Sequence, residues 1–358
     1  MTDMADKLSN LQTGLTFDDV LILPEASAME PTEALLQTRV SKNVSIAIPI
    51  VSSPMDRVTE TAMCMVLGEL GGLGVIHRNM NAEQEIAMAK QVKDKGFKVG
   101  AAVGPFDLSR ALALDKVGVD VLVIDCAHGH NLKVVEGARR IKESVKADVV
   151  VGNIATAWAA EDLCKFADGL RVGIGPGATC TTRIITGCGV PQLTAITEVA
   201  RIARAANVPI IADGGLRYSG DMVKALAAGA SSVMNGSILA GTDASPGEIV
   251  TFGDKQYKSY RGMGSLGAIT GTDRYGDGKS EKIVPEGIEG VIIFRGSTAA
   301  VVHQLIGGIR AGMGYVGART LDELYQKARF IRVTPIGIRE NHPHSMIQTK
   351  DQPNYPAE

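Results

Sequence analysis

The chain has 358 residues, a formal net charge of −2 at pH 7 and 45% hydrophobic residues, a size that suits one large domain, since an α/β barrel needs about 250 residues. The near-neutral charge excludes a general nucleic-acid-binding surface, and no apolar run approaches the roughly 20 residues that span a membrane. Five cysteines, an odd number with no C-x-x-C pair, indicate a reducing, cytoplasmic environment rather than a disulfide framework.

The first 47 residues form an arm with no long helical pattern, and we expect no signal peptide because the polar N-terminus lacks an apolar core. Eight short apolar runs then alternate with helical patterns. The runs lie at 48–53, 73–76, 99–103, 119–124, 149–152, 170–173, 208–212 and 232–234. Helical patterns follow them at 57–70, 82–93, 108–116, 132–145, 157–167, 192–206, 220–228 and from 238 onward.

This alternation predicts an α/β fold, a (β/α)8 barrel, in a single domain that covers residues 1–358. The runs are continuous rather than alternating, which is typical of parallel strands covered on both faces. A doubly wound open sheet is the alternative. The number of runs and the absence of a dinucleotide-binding fingerprint favour the barrel.

Residues 251–295 interrupt the helical pattern with a glycine-rich, polar segment. We call residues 251–295 the flap, because a long insertion without regular structure is usually a functional lid. Helical pattern resumes at 298–311, and the tail at 334–358 is expected to be irregular.

The most distinctive stretch is R-V-G-I-G-P-G-A-T-C-T-T-R-I-I-T-G-C-G at 171–189. Glycines at 173, 175 and 177 permit left-handed backbone and the close approach of a ligand. Cys180 follows them, between threonines and near Arg183, which is a suitable setting for a nucleophilic thiol. A tight connection that carries a small, half-buried cysteine is the other interpretation, and the loop alone does not decide between the two.

Function in such barrels gathers at the carboxyl ends of the strands. Here those ends are Ser53, His77, Gly104, Asp125, Asn153, Gly173, Asp213 and Gly236. The two loops where phosphate commonly binds, after strands seven and eight, read Asp213-Gly-Gly215 and Asn235-Gly-Ser237. They predict a phosphorylated ligand, although Asp213-Gly-Gly215 is also a plain turn sequence.

Asp125 is interpreted as a polar contact to a ribose or a base, with a helix N-cap as the alternative. His128 and His130 have poor spacing for zinc, and we expect them, like His342 and His344, to bind no metal of this kind. Cys64 and Cys164 lie in helical patterns and are predicted core residues. We assign no role to Cys126 or Cys188.

Several ordered motifs resemble the inosine-5′-monophosphate (IMP) dehydrogenase family. They are G-I-G-P-G-A-T-C-T-T-R around Cys180, A-D-G-G at 212–215, N-G-S at 235–237, Y-R-G-M-G-S-L-G-A at 260–268, D-R-Y at 273–275 and V-P-E-G-I-E-G at 284–290. The resemblance extends from Leu15-Thr-Phe-Asp-Asp-Val20 to Glu340-Asn-His-Pro-His344. It implies a homotetrameric barrel that oxidises IMP to xanthosine monophosphate (XMP) with NAD⁺ and is activated by K⁺.

By this resemblance Cys180 attacks C2 of the purine and hydride passes to NAD⁺. A mobile flap then brings Arg274 to activate water, assisted by Tyr275 and Thr182. The implied substrate-binding residues are Ser53, Met55, Asp213, Gly214, Gly215, Gly236, Ser237, Tyr260, Met263, Gly264 and Glu286. The nicotinamide side is assigned to Asp125, Asn153, Arg171 and Gly173, and the K⁺ site to Gly175, Gly177 and Cys180, with Glu340, Asn341 and His342 from a neighbouring subunit.

The chain departs from the family pattern in three places. Ala178 stands where a phosphate-contacting Ser is usual, and Asn341 stands where a Ser is common. Most members insert a pair of cystathionine-β-synthase-type regulatory modules at a point that residues 93–98 bridge directly here. Regulation by purine nucleotides through those modules is therefore not expected.

Two other functions fit parts of the sequence. GMP reductase resembles this chain in the barrel and the cysteine loop, but deamination with NADPH needs no water-activating Arg-Tyr pair, so Arg274, Tyr275 and Glu286 favour the dehydrogenase. A non-catalytic nucleotide-binding barrel is disfavoured because both Cys180 and Arg274 are present.

Overall fold

The computed structural model describes residues 11–270 and 284–346, together with residues 352, 354 and 355. Eight parallel strands close into a barrel in this part of the chain, as predicted. The closure is made where the eighth strand pairs with the first, at Val233↔Ile50 and Asn235↔Ser52. The strands are Ile50–Ser52, Leu73–Ile76, Val99–Val103, Val121–Asp125, Asp148–Ile154, Gly169–Val172, Ile210–Asp213 and Ser232–Asn235.

Helices follow the strands at the predicted places. They are Thr61–Leu70, Ala82–Asp94, Leu108–Lys116, Leu132–Ser144, Ala157–Leu163, Gln192–Ala205 and Ser219–Ala227, with the short Thr182–Thr186 and Ser237–Ala240 and, after the flap, Thr298–Val316. Side chains of Asn81, Asp107, Asn131 and Thr156 accept hydrogen bonds from amides two or three residues later, which satisfies the free ends of these helices. The N-cap alternative for Asp125 is therefore wrong, because Asn131 caps the helix that follows it.

The first helix begins at Thr61, later than the expected residue 57. A turn occupies the intervening residues, closed by the Val58 amide on the Met55 carbonyl. The Thr59 hydroxyl fixes it by a bond of 2.7 Å to the carbonyl of Ser53. This turn keeps the end of the first strand open toward the barrel mouth.

The core has two layers, as continuous apolar strands require. Side chains that point into the barrel, among them Val51, Val75, Val123 and Ile211, form the inner layer. The outward-facing side chains pack with the helices into the larger layer. Both layers leave the carboxyl ends of the strands free to carry polar groups.

The flap has regular structure in its described part, so the expectation of an irregular insertion is wrong there. Strands Ile249–Phe252, Lys255–Arg261 and Glu289–Ile293 form an antiparallel sheet, and Leu266–Thr270 is a short helix. Strand Glu289–Ile293 pairs with Lys255–Arg261, which is distant in sequence, so a local pattern could not reveal this pairing. Residues 271–283, which include Arg274 and Tyr275, lie outside the described residues.

The arm pairs with the segment that comes just before the tail. Strand Val20–Ile22 of the arm pairs antiparallel with Phe330–Arg332, which follows helix Leu321–Lys327. The arm contains no long helix in its described part, as expected. The tail is less irregular than expected, because Thr334 caps a helix at Pro335–Glu340 that begins with a proline.

The helix Ala82–Asp94 and the strand Val99–Val103 are connected by residues 95–98 alone. Among the described residues, no helix combines the length and the apolar character needed to cross a membrane.

Candidate active site

A cavity of about 190 Å³ opens at the carboxyl ends of the barrel strands and is closed on one side by the flap. The residues expected to bind the substrate come together in its wall: Ser53, Met55, Asp213, Gly214, Gly215, Gly236, Ser237, Tyr260, Met263, Gly264 and Glu286. Cys180 lines the same cavity. Residues from four separate loops and the flap thus meet around one thiol.

A second cavity, of about 300 Å³, adjoins the first. The two share the four residues expected on the nicotinamide side, Asp125, Asn153, Arg171 and Gly173, as well as Cys180 and Glu286. Thr182 lines the second cavity. The thiol therefore lies where two ligands could meet.

A chain of hydrogen bonds leads away from this thiol. Cys180 Sγ donates to Thr182 Oγ1 at 3.2 Å, and Thr182 donates to Glu286 Oε2 at 2.7 Å. The backbone reinforces the arrangement, because the Thr181 amide donates to the Glu286 carbonyl at 3.0 Å and Cys180 forms a bridge with Gly287. This chain offers a path by which the thiol proton can reach a carboxylate.

The other cysteines have different surroundings. Cys64 is buried in the core, and burial raises the pKa of its thiol far above the ordinary range. Burial also raises the pKa values of Cys126 and Cys164 to about 11. These three remain protonated near neutral pH, whereas Cys188 is exposed on the surface.

The wall shared by the two cavities is a cluster of alternating charges. Arg171 donates through Nη1 to Asp125 Oδ1 and through Nε to Asp213 Oδ2, both at 2.9 Å. Asn153 donates to the same Asp213 oxygen and to the Gly173 carbonyl, each at 2.8 Å. Burial alone lowers the pKa of Arg171, but the two carboxylates outweigh it and raise that pKa. The cluster fixes the direction of both carboxylates.

Sequence reasoning missed Gln192, which is buried under this cluster. Its amide donates to the carbonyls of Val172 at 2.9 Å and Asp213 at 3.0 Å. Position 173 requires glycine, because a Cβ there would lie 2.1 Å from the Asp213 carbonyl oxygen. The only sign of this role in the sequence is that a polar residue, Gln192, stands at the start of an otherwise apolar helix face.

The far end of the first cavity is built from glycine backbone. Gly214 and Gly215 both have left-handed φ angles, of 93° and 77°. A Cβ at Gly236 would lie 3.1 Å from the Tyr260 hydroxyl and 3.2 Å from Met55 Sδ. Burial raises the pKa of Tyr260 to about 12, so its hydroxyl keeps its proton and can donate to an anion.

The residues expected to hold K⁺ fall in two places within one chain. Gly175 and Gly177 lie in the cysteine loop, where Arg183 braces the backbone by donating to the carbonyls of Ile174 and Val190. His342 instead contacts Tyr218 and Tyr355. The described part of the chain also contains no cluster of three or more His, Cys, Asp or Glu side chains suited to a metal.

The two histidines after the fourth strand have different surroundings. His128 is exposed, and His130 pairs with Asp162 at 3.0 Å.

A closed (β/α)8 barrel with two adjoining cavities at the carboxyl ends of its strands has the architecture of a barrel enzyme. A family model described as IMP dehydrogenase / GMP reductase domain matches residues 14–344, and the chain belongs to this family of oxidoreductases. It is 44% identical to the inosine-5′-monophosphate dehydrogenase of Cryptosporidium parvum, over 97% of this chain and 98% of that protein. It is 39% identical to the enzyme of that name from Halobacterium salinarum, over 95% of each chain. The corresponding protein of Thermoplasma acidophilum is 38% identical over 98% of each.

Proposed function

We propose that this chain is an IMP dehydrogenase, which oxidises IMP to XMP with NAD⁺ in the formation of guanine nucleotides. The observation that carries the proposal is the position of Cys180, whose thiol borders both cavities. One cavity then receives the purine nucleotide and the other receives the nicotinamide end of the cofactor.

The nucleotide would enter with its phosphate toward the glycine loops. The amides of Gly215 and Gly236, the Ser237 hydroxyl and the protonated Tyr260 hydroxyl are the donors on that side of the first cavity. Ala178 supplies no hydroxyl there, so Tyr260 and Ser237 carry the side-chain part of the contact. Met55, Met263 and Glu286 surround the purine end, near Cys180.

The first chemical step forms a bond between Cys180 Sγ and C2 of the purine. The thiol proton leaves through Thr182 toward Glu286, which their hydrogen bonds of 3.2 and 2.7 Å make possible. The hydrogen on C2 departs with its electron pair, and bound NAD⁺ supplies the acceptor for that hydride. Asp125, Asn153 and Arg171 would orient the cofactor's nicotinamide riboside. The product of this step is a thioimidate on Cys180.

Water then adds to C2, the C–S bond breaks, and XMP and the free thiol result. Arg274 and Tyr275 are proposed for the activation of this water on the sequence motif alone. Arginine has a pKa of about 12.5 or more, so the site must favour its neutral form or use it to polarise a relay. Thr182 would take part in both steps, because it bonds to the thiol and to Glu286.

Activation by K⁺ and assembly as a cytoplasmic homotetramer are part of the same proposal. Backbone carbonyls of Gly175, Gly177 and Cys180 are oxygen donors of the kind that hard cations prefer. A neighbour's Glu340–His342 would complete the set. An exposed apolar side chain lies near each of these two segments in the sequence. Ile184 follows the cysteine loop and is 86% exposed in the single chain, and Ile336 precedes Glu340 and is 85% exposed. Association of subunits would cover such side chains.

The test is incubation with IMP and NAD⁺ while NADH absorbance is followed, with GMP and NADPH as the matched second reaction. The proposal predicts NADH formation and no consumption of NADPH with GMP. NADPH consumption with GMP would instead identify a GMP reductase, and silence in both assays would leave a nucleotide-binding barrel.

A further inference from the structure

Arg78 has no assigned role, yet it reaches from the end of the second barrel strand to the active-site end of the fourth. Its Nη2 donates to the backbone carbonyl of Asp125 at 2.9 Å, and its Nε lies 3.5 Å from Asp125 Oδ2. The guanidinium passes over the end of the third strand, where a Cβ at Gly104 would begin only 3.4 Å from Arg78 Nη1. A Cβ there would be in ordinary van der Waals contact with the guanidinium.

The loop that carries Arg78 is itself held by a buried ion pair. Arg110 donates through Nη1 to the Arg78 carbonyl at 3.2 Å and through Nη2 to the Met80 carbonyl at 3.1 Å. The same Nη1 donates to Glu85 Oε2 at 2.9 Å, and the Glu85 side chain is fully buried. Arg110 therefore ties two helices to the backbone on both sides of residue 79.

Asp125 consequently lies between two arginines. Arg171 holds Oδ1 at 2.9 Å, and Arg78 faces Oδ2. Both arginines are nearly buried, with 9% and 12% of their side chains exposed, so solvent screens these interactions little. With Arg78, the two cations balance Asp125 and Asp213. Without Arg78, the group would carry an excess negative charge, and the Asp125 carboxylate would lose one of the two cations that hold it.

We infer that Arg78 is a positioning residue for the cofactor, which fixes the Asp125 carboxylate at the border of the second cavity and so sets the affinity for the nicotinamide riboside. The inference rests on the proposed function. Arg78 does not line either cavity and acts only through Asp125. A lysine could keep the charge but could not span a carbonyl and a carboxylate with one planar group.

Binding is tested by calorimetry in a Cys180→Ala background, where IMP and NAD⁺ can be present together without reaction. Arg78→Met should weaken NAD⁺ binding about tenfold or more, because small displacements of a positioning group are costly. Binding of IMP should not change, nor that of ADP, which lacks the nicotinamide riboside. The NAD⁺ affinity of Arg78→Lys should fall between that of the parent and that of Arg78→Met. The matched control is Arg204→Met, an ion-paired arginine near the other end of the barrel, which should bind all three ligands as the parent does.

A double-mutant cycle decides whether Arg78 acts through Asp125. In an Asp125→Asn background, Arg78→Met should add little further loss of NAD⁺ affinity. Additive losses, or wild-type NAD⁺ affinity in Arg78→Met, would overturn the inference. If Arg78→Met does not fold, Arg78→Lys decides the question. Wild-type NAD⁺ affinity in Arg78→Lys would then overturn the inference. Failure of the proposed function is distinguishable, because the wild-type chain would then make no NADH from IMP.

Discussion

Thr182 and Glu286 are 104 residues apart in the chain and share a hydrogen bond of 2.7 Å beside the Cys180 thiol. Neither residue type is unusual alone. Their contact turns a hydroxyl next to Cys180 into the middle of a proton path from a sulfur to a carboxylate.

The first prediction concerns this path. Thr182→Val keeps the shape of the side chain but removes the hydroxyl, so NADH formation from IMP should fall about 100-fold or more, the usual loss when acid–base assistance is removed. Thr182→Ser is the control and should retain most of the rate. Steady-state kinetics measure both. A valine variant with the parent rate would show that the hydroxyl is dispensable.

The second prediction concerns the selectivity of Cys180. Iodoacetamide at pH 8 should modify Cys180 and Cys188 but spare Cys126 and Cys164, whose pKa values of about 11 leave them protonated. In a Cys188→Ala variant, mass spectrometry should find one modified site, and IMP should protect it. Activity should fall in step with labelling, and Cys180→Ala should make no NADH. Appreciable NADH production by that variant contradicts the nucleophile assignment.

The third prediction separates the two chemical steps. Arg274→Ala should leave hydride transfer intact and cripple hydrolysis, since one side chain is proposed to act only on water. Rapid mixing should give a burst of about one NADH per active site, followed by a steady rate that is lower by orders of magnitude. The trapped protein should carry the mass of a purine nucleotide on Cys180. If burst and steady rate fall together, Arg274 serves binding or hydride transfer instead.

The fourth prediction concerns the cation. Deletion of the tail from Glu340 onward should abolish activation by K⁺, because its ligands would be supplied by a neighbouring subunit. Ile184→Asp should also abolish activation by K⁺. It replaces an apolar side chain that is 86% exposed in one chain by a charged one, which would oppose the association of subunits. Light scattering coupled to size exclusion measures the assembly, and titration with K⁺ against Li⁺ measures the activation. A fully active monomer would rule out this arrangement.

The fifth prediction concerns the anchor of the flap. Arg261, in the flap sheet, donates through Nε to Asp56 Oδ2 at 2.9 Å, and Asn79 donates to the same oxygen. Burial by itself raises the pKa of Asp56, but Arg261 and Asn79 outweigh it and hold that pKa below its ordinary value. The stabilisation is therefore fully present above the unfolded-state pKa of about 3.9 and is lost as the pH falls through the lower folded-state pKa.

Asp56→Asn should lower the free energy of unfolding by about 1.5–3 kcal/mol at pH 7, as expected for a hydrogen-bonded charge. The difference from the parent should shrink below pH 4, where the parent's carboxylate becomes protonated. Urea unfolding at both pH values measures it. The control is Glu25→Gln, which removes the partner of the exposed Arg329 and should cost less than about 1 kcal/mol. A pH-independent difference would assign the effect to packing.

The sequence by itself determined the barrel, the cysteine loop and the glycine loops. Each of these depends on neighbours a few residues apart: continuous apolar runs bury both faces of a strand, and closely spaced glycines define a loop. Asp125 and Asp213 could be named because the carboxyl ends of parallel strands meet at one edge of the barrel.

Only the tertiary structure decided which side chains meet. The flap sheet pairs Tyr260 with Gly290, and Arg78 reaches Asp125 across the end of an intervening strand. Gln192 supports Asp213 from beneath. The physical reason is that side-chain hydrogen bonds and ion pairs act over about 3 Å, whatever the separation along the chain. A local pattern can predict a strand or a loop, but the partner of a buried charge is settled only when distant segments are folded against each other.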